Sequence, residues 1–555
     1  MALVTFLAAP WRDIRLRLGA LLLAFLLPVA ARGQSGSIAD LLHARVVSGR
    51  LEAFRRPDFA PERYLLERLY EPTAYAPLWL DGGRPSPRAQ EAIAVLRAVA
   101  TKGLDPRDYD ADFLADEAGR LGGFWRVPEA DLARFDVALS VAFARLLSDL
   151  HIGRVDPRAL GFGYDREAKR AELAALVVTG AVTSGRIQDA VDAAEPHLLE
   201  ERLLEQQLAR YRQLAADVAS TPPLLPAKIR PGTPLEAAPG LARWLVALGD
   251  LDAEARVSAV YESPLVEAVQ RFQLRHGLTP DGIIGAATAQ ALAVPAAARA
   301  RQITLALERL RWLPPLARDR TVIVNVPGFE LLAFDEIGAG QPPALTMPVV
   351  VGRALRTQTP FFAGMMTNVV FAPYWNVPPS ILRNEILPKL RAKPGYLAAE
   401  NMEIVSAGSV LAPTAEAIAR LARGGAEVRQ RPGPKNALGQ VKFLFPNPHN
   451  VYMHDTPARE LFARSRRDFS HGCIRVGDAP GLAHWVLAGE GWDAARVDAM
   501  LDVARQTFVP LRRPIAVVLA YATAVARSDG TIAFYDDIYE HDAALERALA
   551  DVYRP

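Results

Sequence analysis

The chain has 555 residues, of which half are apolar and 23% are charged, and its formal net charge is +2. This composition is typical of soluble globular proteins and excludes a wholly disordered chain. The length predicts about three or four domains of roughly 150 residues each. The near-neutral charge gives no indication of a nucleic acid partner.

The first 33 residues have the pattern of an export signal. Arg12, Arg15 and Arg17 precede an apolar run at 18–27, and small residues follow at 29–31. The run is shorter than the about 20 residues that span a bilayer, so we expect a signal peptide at residues 1–33. A retained inner-membrane anchor is the alternative. Without these residues the formal net charge becomes −1.

Residues 34–220 have helical periodicity. Apolar residues recur at spacings of three and four within 88–100, 135–150 and 189–218, which predicts a helical scaffold domain. Six prolines between residues 221 and 240 then predict a linker.

Residues 241–295 form a short segment with three predicted helices, over 241–251, 265–276 and 286–292. A turn at Asp281-Gly282 precedes the last helix. The string VQRFQLRHGLTPDGIIGAATAQAL (269–292) resembles the peptidoglycan-binding type 1 module. The resemblance implies affinity for wall glycan or stem peptides, whereas the periodicity alone indicates a generic helical unit.

Strand patterns replace helices from residue 320. Segments 321–326 and 329–334 flank Pro327-Gly328 and predict a hairpin, and 515–525 and 531–535 flank a second turn at 528–530. Further strands are predicted at 347–351, 367–371, 441–445 and 450–453. Residues 378–440 are a proline-marked, more helical insertion, long enough to be a lid over a site. The sequence thus predicts a multidomain α+β protein with a mainly-β domain at residues 300–545.

The chain has one cysteine, Cys473, within the run SHGCIR at 470–475. A lone thiol cannot form an internal disulfide, and a neighbouring imidazole is a common means of generating a nucleophilic thiolate. We expect backbone N–H groups of Gly472 and Cys473 to hold an oxyanion. The alternatives are a buried structural cysteine, or a zinc site with His454 and His471.

Two histidines are candidates for the base. His454 ends a strand-like run that can be fixed beside the loop, so we expect it to be the general base, oriented by Asp455 or a nearby backbone carbonyl. His471 is two residues from Cys473, and we expect it to shape the loop or bind substrate. Arg475 either anchors the loop, meets a substrate carboxylate, or forms an ion pair with Asp478.

These residues resemble a known family. His454-Asp455 and the SHGCIR run look like the signature of L,D-transpeptidases with a YkuD-type catalytic domain. Two longer strings, at 369–390 and 439–457, are similar to the large periplasmic Gram-negative subgroup. So are Trp79 and the run GRVDP at 153–157. That subgroup combines a scaffold, a peptidoglycan-binding module and a lid-bearing catalytic domain.

The resemblance implies a reaction and a location. Cys473 would form a thioester with a tetrapeptide stem, releasing D-alanine, and a neighbouring stem's diaminopimelate amine would resolve it without metal or cofactor. It also implies a periplasmic location, acylation by carbapenems, and peptidoglycan stems as donor and acceptor, with other wall-synthesis proteins as further partners. Open alternatives are hydrolysis (L,D-carboxypeptidase), attachment of an envelope protein, and a non-catalytic wall-binding scaffold.

The resemblance also implies roles around the nucleophile. Tyr452 lines the oxyanion side of the pocket, and Trp375 and Asn376 form the cleft wall near the lid. Ser470, His471 and Arg475 complete the expected substrate-binding set.

Overall fold

The computed structural model describes residues 37–552, except 124, 179–185, 197, 218–220, 226–227, 317–318 and 339. The predicted signal peptide lies outside this range. Residues Ile38–Pro555 form one compact unit. Within the described stretches, no helix is long and apolar enough to cross a membrane.

Helices make up the N-terminal part of this unit, as the periodicity predicts. They are α1 (Ile38–Ser48), α2 (Arg63–Tyr70), α3 (Pro87–Ala98), α4 (Ala111–Leu121), α5 (Glu129–His151), α6 (Arg166–Val178), α7 (Ile187–Ala194) and α8 (Leu199–Ala216). A small hairpin of β1 (Leu80–Asp81) and β2 (Arg84–Pro85) lies between α2 and α3. The central helix is α5, which is buried along most of its length. The fully buried Trp79 donates its indole N–H to Ser140 of α5 at 2.8 Å.

The stretch 189–218, predicted to be helical, contains two helices, α7 and α8. Pro196 follows Glu195, and a residue before proline is excluded from the helical conformation. Glu195 is accordingly extended, with ψ of 154°, and α7 ends at Ala194.

The next segment contains the three predicted helices, α9 (Ala238–Leu248), α10 (Leu265–Arg275) and α11 (Ala286–Leu292). Two short strands, β3 (Thr233–Pro234) and β4 (Val260–Tyr261), pair beside them. The first helix begins inside the proline-rich stretch because Pro239 occupies its first turn, where a proline is tolerated. Helix α12 (Ala296–Trp312) leads to the sheet that follows.

A buried carboxylate on α12 joins the scaffold to this part of the chain. Glu308 is fully buried and accepts hydrogen bonds from the backbone and side chain of Arg154, at 2.6 and 2.9 Å, and from the Val155 N–H at 3.2 Å. The Glu308 carboxylate therefore holds the run at 153–157 against α12.

The sheet begins with β5 (Thr321–Asn325), β6 (Glu330–Phe334), β7 (Leu345–Gly352) and β8 (Ala363–Phe371). The predicted hairpin is confirmed, because β5 and β6 pair antiparallel from Thr321 opposite Phe334 to Asn325 opposite Glu330.

The insertion then forms a small unit of its own. Its elements are β9 (Trp375–Asn376), α13 (Pro379–Ile381), α14 (Leu387–Ala392), α15 (Tyr396–Ala399), β10 (Met402–Ser406), β11 (Ser409–Leu411), α16 (Ala415–Ala422) and β12 (Glu427–Gln430). A π-turn at Leu382–Ile386 joins α13 to α14. The strands pair in the order β11-β10-β12-β9 around a separate apolar core. The insertion therefore contains more strand than its sequence indicates.

The remaining elements complete the main sheet and its surroundings. They are β13 (Val441–Leu444), β14 (Met453–His454), β15 (Asp468–Ser470), β16 (Ile474–Val476), α17 (Ala479–Ala488), α18 (Ala494–Leu501), β17 (Thr507–Ala520), β18 (Ala524–Ala526), β19 (Ile532–Phe534) and α19 (His541–Val552). The strand order is β15-β7-β16-β14-β13-β8-β17-β5-β6, and β6 also pairs with β7, so the sheet closes on itself.

One predicted strand is shorter than expected. The run at 450–453 reduces to β14, because Asn450 has a positive φ of 54° and Asn447 folds its carboxamide onto the Phe445 and Val451 carbonyls. These contacts form a turn, and the chain enters β14 at Met453 after it.

The C-terminal hairpin of β18 and β19 packs away from the main sheet. Its buried residues join those of α8, α9, α10 and α12 in one apolar cluster. Ile532 and Phe534, for example, belong to the same core as Trp244 and Phe272 of the three-helix segment.

Candidate active site

Three neighbouring strands carry polar side chains on one face of the sheet. Lys442 of β13 lies opposite His454 of β14, and His454 lies beside Arg475 of β16. Paired residues project to the same face, and alternate residues project to the other. The other face is apolar and fully buried, with Phe443, Met453 and Ile474. The strand register therefore gathers one imidazole and two cations.

Cys473 immediately precedes β16 and shares the face of Arg475, since side chains two residues apart project the same way. The Ile474 N–H donates to the Tyr452 carbonyl at 3.1 Å, which holds the loop against β14. The half-buried thiol lies 3.9 Å from the Asn450 carbonyl.

The pKa of Cys473 is raised overall, because burial outweighs the groups that lower it. Burial raises the pKa of Cys473, whereas hydrogen bonds from the Tyr452 backbone and side chain lower it. The positive charges of Lys442 and Arg475 also lower it. Three groups on this face therefore stabilise a thiolate against the cost of burying it.

His454 is buried and one of its ring nitrogens is fixed. Nδ1 lies 2.5 Å from the backbone carbonyl oxygen of Asp455. A carbonyl can only accept, so Nδ1 carries the proton and Nε2 keeps its lone pair. Burial, reinforced by the charge of Arg475, lowers the pKa of His454 to about 3. The imidazole is therefore neutral and able to accept a proton at Nε2.

The carboxylate of Asp455 points away from this ring. It accepts from the Gln440 N–H at 2.9 Å and pairs with Arg459 at 2.6 Å. Of the two orienting groups that the sequence offered at this position, the backbone carbonyl is the one in contact with the imidazole.

Hydrogen bonds within the SHGCIR loop fix its shape. The Ser470 hydroxyl donates to the Cys473 carbonyl at 2.6 Å and accepts from the Gly472 N–H at 3.1 Å. Gly472 has φ of +113°, a conformation that favours glycine. The Gly472 N–H is thus engaged inside the loop, so the Cys473 N–H is the loop's better-placed candidate for an oxyanion.

Two threonines tie this loop to the end of β7. Thr359 donates to the Gly472 carbonyl and accepts from the Gly352 N–H, both at 2.9 Å. Thr357 donates to the Ser470 carbonyl at 3.0 Å. Nothing in the sequence pattern indicated these two residues.

The insertion reaches the loop through a contact between a histidine and a glutamate. His471 Nε2 lies 2.8 Å from Glu385 in the π-turn between α13 and α14. Trp375 and Asn376 form β9, where Trp375 packs against the core of the insertion and Asn376 is exposed. Their expected place in the cleft wall stays a prediction.

The side chain of Arg475 is half-buried, and among the described residues its Nε has no hydrogen-bond partner. Burial and the nearby charge of Arg353 lower the pKa of Arg475. Asp478, the alternative ion-pair partner, instead caps α17 by accepting the Gly481 N–H at 2.9 Å. The guanidinium therefore has capacity for a ligand.

Lys442 is a site residue that sequence reasoning missed. Its Nζ lies 3.7 Å from the centroid of the Tyr452 ring, a cation–π contact. Burial lowers the pKa of Lys442, and a negative charge at Cys473 raises it. The available indication was a lysine that alternates with buried apolar residues in the run VKFLF.

Within the described ranges, no group of three His, Cys, Asp or Glu side chains is arranged to hold a metal ion. His471, one ligand of the zinc alternative, is instead paired with Glu385.

Comparison with known families assigns three parts of the chain. Residues 319–498 match the family described as "L,D-transpeptidase catalytic domain", 64–208 match "Scaffold domain", and 241–292 match "Putative peptidoglycan binding domain". The first match contains both Cys473 and His454.

Two individual proteins are similar over part of the chain. A Haemophilus influenzae protein named "Putative L,D-transpeptidase" is 32% identical over 252 residues, which are 45% of this chain and 49% of that protein. The matched segment thus spans about half the length of this relative. A solved L,D-transpeptidase from Xylanimonas cellulosilytica is 15% identical, covers 54% of this chain and 100% of its own, and superposes with a TM-score of 0.18.

The fold and the matches define a protein that combines a scaffold, a peptidoglycan-binding module and a mixed α+β sheet domain of the transpeptidase type. Residues 319–498 of the chain thus form a YkuD-type L,D-transpeptidase catalytic domain.

Proposed function

We propose that this protein is a periplasmic L,D-transpeptidase that cross-links peptidoglycan between diaminopimelate residues through a Cys473 thioester. The observation that carries the proposal is the neutral His454, whose Nδ1 is held by the Asp455 carbonyl and whose Nε2 shares a sheet face with Cys473. The family match at residues 319–498 and the wall-binding match at 241–292 support the same reaction.

The first half-reaction is acylation by a tetrapeptide stem. The Cys473 sulfur attacks the carbonyl between the L-centre of diaminopimelate and the terminal D-alanine, and the thiol proton passes to His454 Nε2. A carbon–sulfur bond forms, and the carbon–nitrogen bond to D-alanine then breaks. The leaving amine takes the proton back from His454, so D-alanine departs neutral overall and the imidazole is restored.

The second half-reaction is aminolysis of the thioester. The side-chain amine of a neighbouring diaminopimelate loses a proton to His454 and attacks the thioester carbonyl. The carbon–sulfur bond breaks, and the thiolate recovers its proton from the imidazolium. An amide cross-link forms, and the enzyme returns to its starting state without a cofactor.

The other polar groups of the face have roles in this scheme. The Tyr452 hydroxyl and the Cys473 N–H would stabilise the oxyanion of each tetrahedral intermediate. Arg475 would meet a carboxylate of the donor stem, because its Nε lacks an acceptor among the described residues. His471 would position the insertion over the bound stem through Glu385.

Mass spectrometry of protein and products tests the proposal. The purified full-length protein is incubated with disaccharide-tetrapeptide, and we expect a thioester adduct on Cys473, released D-alanine and a cross-linked dimer. Cys473→Ala is the control and should form no adduct.

The outcomes separate the alternatives. Tripeptide monomer as the dominant product would replace cross-linking with hydrolysis. Absence of any adduct from either the tetrapeptide or a carbapenem, with the thiol intact, would refute the enzymatic proposal altogether.

A further inference from the structure

The segment 353–359 follows β7 and packs against the SHGCIR loop. At one edge of β7, which pairs with β15, the Arg353 N–H donates to the Ser470 carbonyl at 3.1 Å. At the other edge, Val350 pairs with Arg475 of β16. Arg353 therefore leaves β7 between the first and last residues of the run that carries the nucleophile.

The backbone of this segment is held in place without the Arg353 side chain. The Thr357 N–H donates to the Arg353 carbonyl at 3.1 Å, and the Thr357 hydroxyl donates to the Ser470 carbonyl at 3.0 Å. Thr359 donates to the Gly472 carbonyl at 2.9 Å. None of these bonds uses the guanidinium, and Arg353 is exposed. Replacing its side chain therefore leaves the segment attached to the nucleophile loop.

Arg353 and Arg475 are two cations that act on each other. The charge of Arg353 lowers the pKa of Arg475, so the two guanidiniums lie close enough to repel. Glu460 acts on Arg475 in the opposite direction. In the part of the chain that the structure describes, neither arginine forms an ion pair with a carboxylate, and the buried Nε of Arg475 has no acceptor.

This arrangement suits an anionic ligand. Two like charges that face each other without a counterion destabilise the folded protein, and a bound anion removes that repulsion. The planar guanidinium group matches the geometry of a carboxylate, with which it forms paired, charge-assisted hydrogen bonds. The two arginines are therefore expected to bind a carboxylate beside the nucleophile.

The donor stem of the proposed reaction has two carboxylates near the reacting carbonyl. The one on the diaminopimelate side chain shares its carbon with an ammonium, which two guanidiniums would repel. The terminal carboxylate of D-alanine has no such neighbour, and only the amide nitrogen and one carbon separate it from the reacting carbonyl. Arg475 is correspondingly close to Cys473, two residues away on the same face, or about 7 Å at roughly 3.3 Å per residue. Charge and distance thus favour the terminal carboxylate.

We propose that Arg353 and Arg475 together bind the terminal carboxylate of the donor stem, and that Arg353 is a specificity-determining residue of the donor site. This inference rests on the proposed function. It adds the group by which the protein distinguishes a stem that ends in free D-alanine from one whose terminal carboxylate is blocked.

Binding is measured by calorimetry in full-length protein carrying Cys473→Ala, so that the ligand is not consumed. The two ligands are disaccharide-tetrapeptide with a free terminal carboxylate and the same molecule with that carboxylate amidated. Arg353→Met removes the charge and keeps the backbone N–H that bonds to Ser470. Arg356→Met is the matched control, because Arg356 is exposed in the same segment but is not the arginine whose charge acts on Arg475.

We expect the Cys473→Ala protein to bind the free acid at least about tenfold more tightly than the amide, as a charge-assisted pair of hydrogen bonds allows. Adding Arg353→Met should reduce this ratio to about threefold or less, by weakening the binding of the acid and not that of the amide. Adding Arg356→Met should leave the ratio unchanged. An unchanged ratio in the Arg353→Met protein, or no preference for the acid before that change, would overturn the inference.

Acylation of the protein with Cys473 present tests the proposed function separately. Preferential binding of the free acid without any thioester on Cys473 would refute the proposed function and leave the carboxylate site standing. Equally fast acylation by the acid and the amide would overturn the carboxylate site and leave the proposed function standing.

Discussion

Replacing Lys442 by methionine should slow acylation of Cys473 although the lysine lies on a different strand from the nucleophile. Its Nζ sits 3.7 Å from the Tyr452 ring centroid, and Tyr452 in turn hydrogen-bonds to Cys473. The Tyr452 ring therefore lies between the Lys442 ammonium and the Cys473 sulfur. Methionine preserves the length and the packing of the side chain but removes the charge.

Coulomb's law gives the magnitude. At a separation of roughly 6 Å and an effective dielectric constant of about 20, an ammonium and a thiolate attract by about 2.8 kcal/mol. Lys442 is half-buried, so solvent screening reduces this to about half. A loss of about 1.4 kcal/mol corresponds to a roughly tenfold slower reaction.

The assay is the rate of carbapenem acylation from pH 5 to 10, followed by mass spectrometry. Without the ammonium the pKa of Cys473 rises, so the alkaline rise in rate of Lys442→Met should move to higher pH. Lys442→Arg keeps the charge and should retain most of the rate. A profile of Lys442→Met that coincides with the parent's would refute the electrostatic role.

His454→Gln should slow acylation by about 10²- to 10⁴-fold, and the parent rate should have no inflection from this imidazole between pH 5 and 8 because its pKa is about 3. The unfolded chain protonates His454 near pH 6.5 and the folded chain does not, so the free energy of unfolding should fall as pH drops from about 6.5 towards 3. Urea titrations at several pH values should give a smaller fall for His454→Gln than for the parent. Glu385→Gln removes the carboxylate that contacts His471, so KM for the tetrapeptide donor should rise up to about fivefold with kcat little changed. A large fall in kcat would contradict a positioning role. Glu308→Ala removes the buried carboxylate that pairs with the Arg154 guanidinium, so chemical denaturation should register a loss of about 3–5 kcal/mol, whereas the exposed Glu416→Ala should be near neutral.

The sequence predicted the elements that local pattern determines. Apolar spacing located α3 and α5, the Asp281-Gly282 turn located α11, and the Pro327-Gly328 turn located the hairpin of β5 and β6. Periodicity did not locate the break between α7 and α8, where Glu195, the residue before Pro196, is extended. The strands of the insertion were missed because they are short and depend on pairing with each other.

The site was predictable only in part, for a related reason. Cys473 and His454 stand in a recognisable run, so their chemistry could be inferred from neighbours in sequence. Lys442 and Thr359 reach the site through strand register and a loop contact, neither of which leaves a local pattern. Glu385 comes from an insertion whose folding the sequence did not specify.

The C-terminal hairpin has a consequence for how the chain matures. The apolar core around Trp244 and Phe272 is completed by Ile532 and Phe534, which are synthesised more than 250 residues later. During synthesis from the N-terminus, helices α9 and α10 therefore have part of their apolar core exposed until β18 and β19 have been made. A chain that stops before β18 would contain every strand of the main sheet but would lack Tyr539 and Leu545 of its core, and Ile532 and Phe534 of the core of the three-helix segment. The three-helix segment and the sheet domain therefore acquire their full apolar cores only after β19 and α19 have been made.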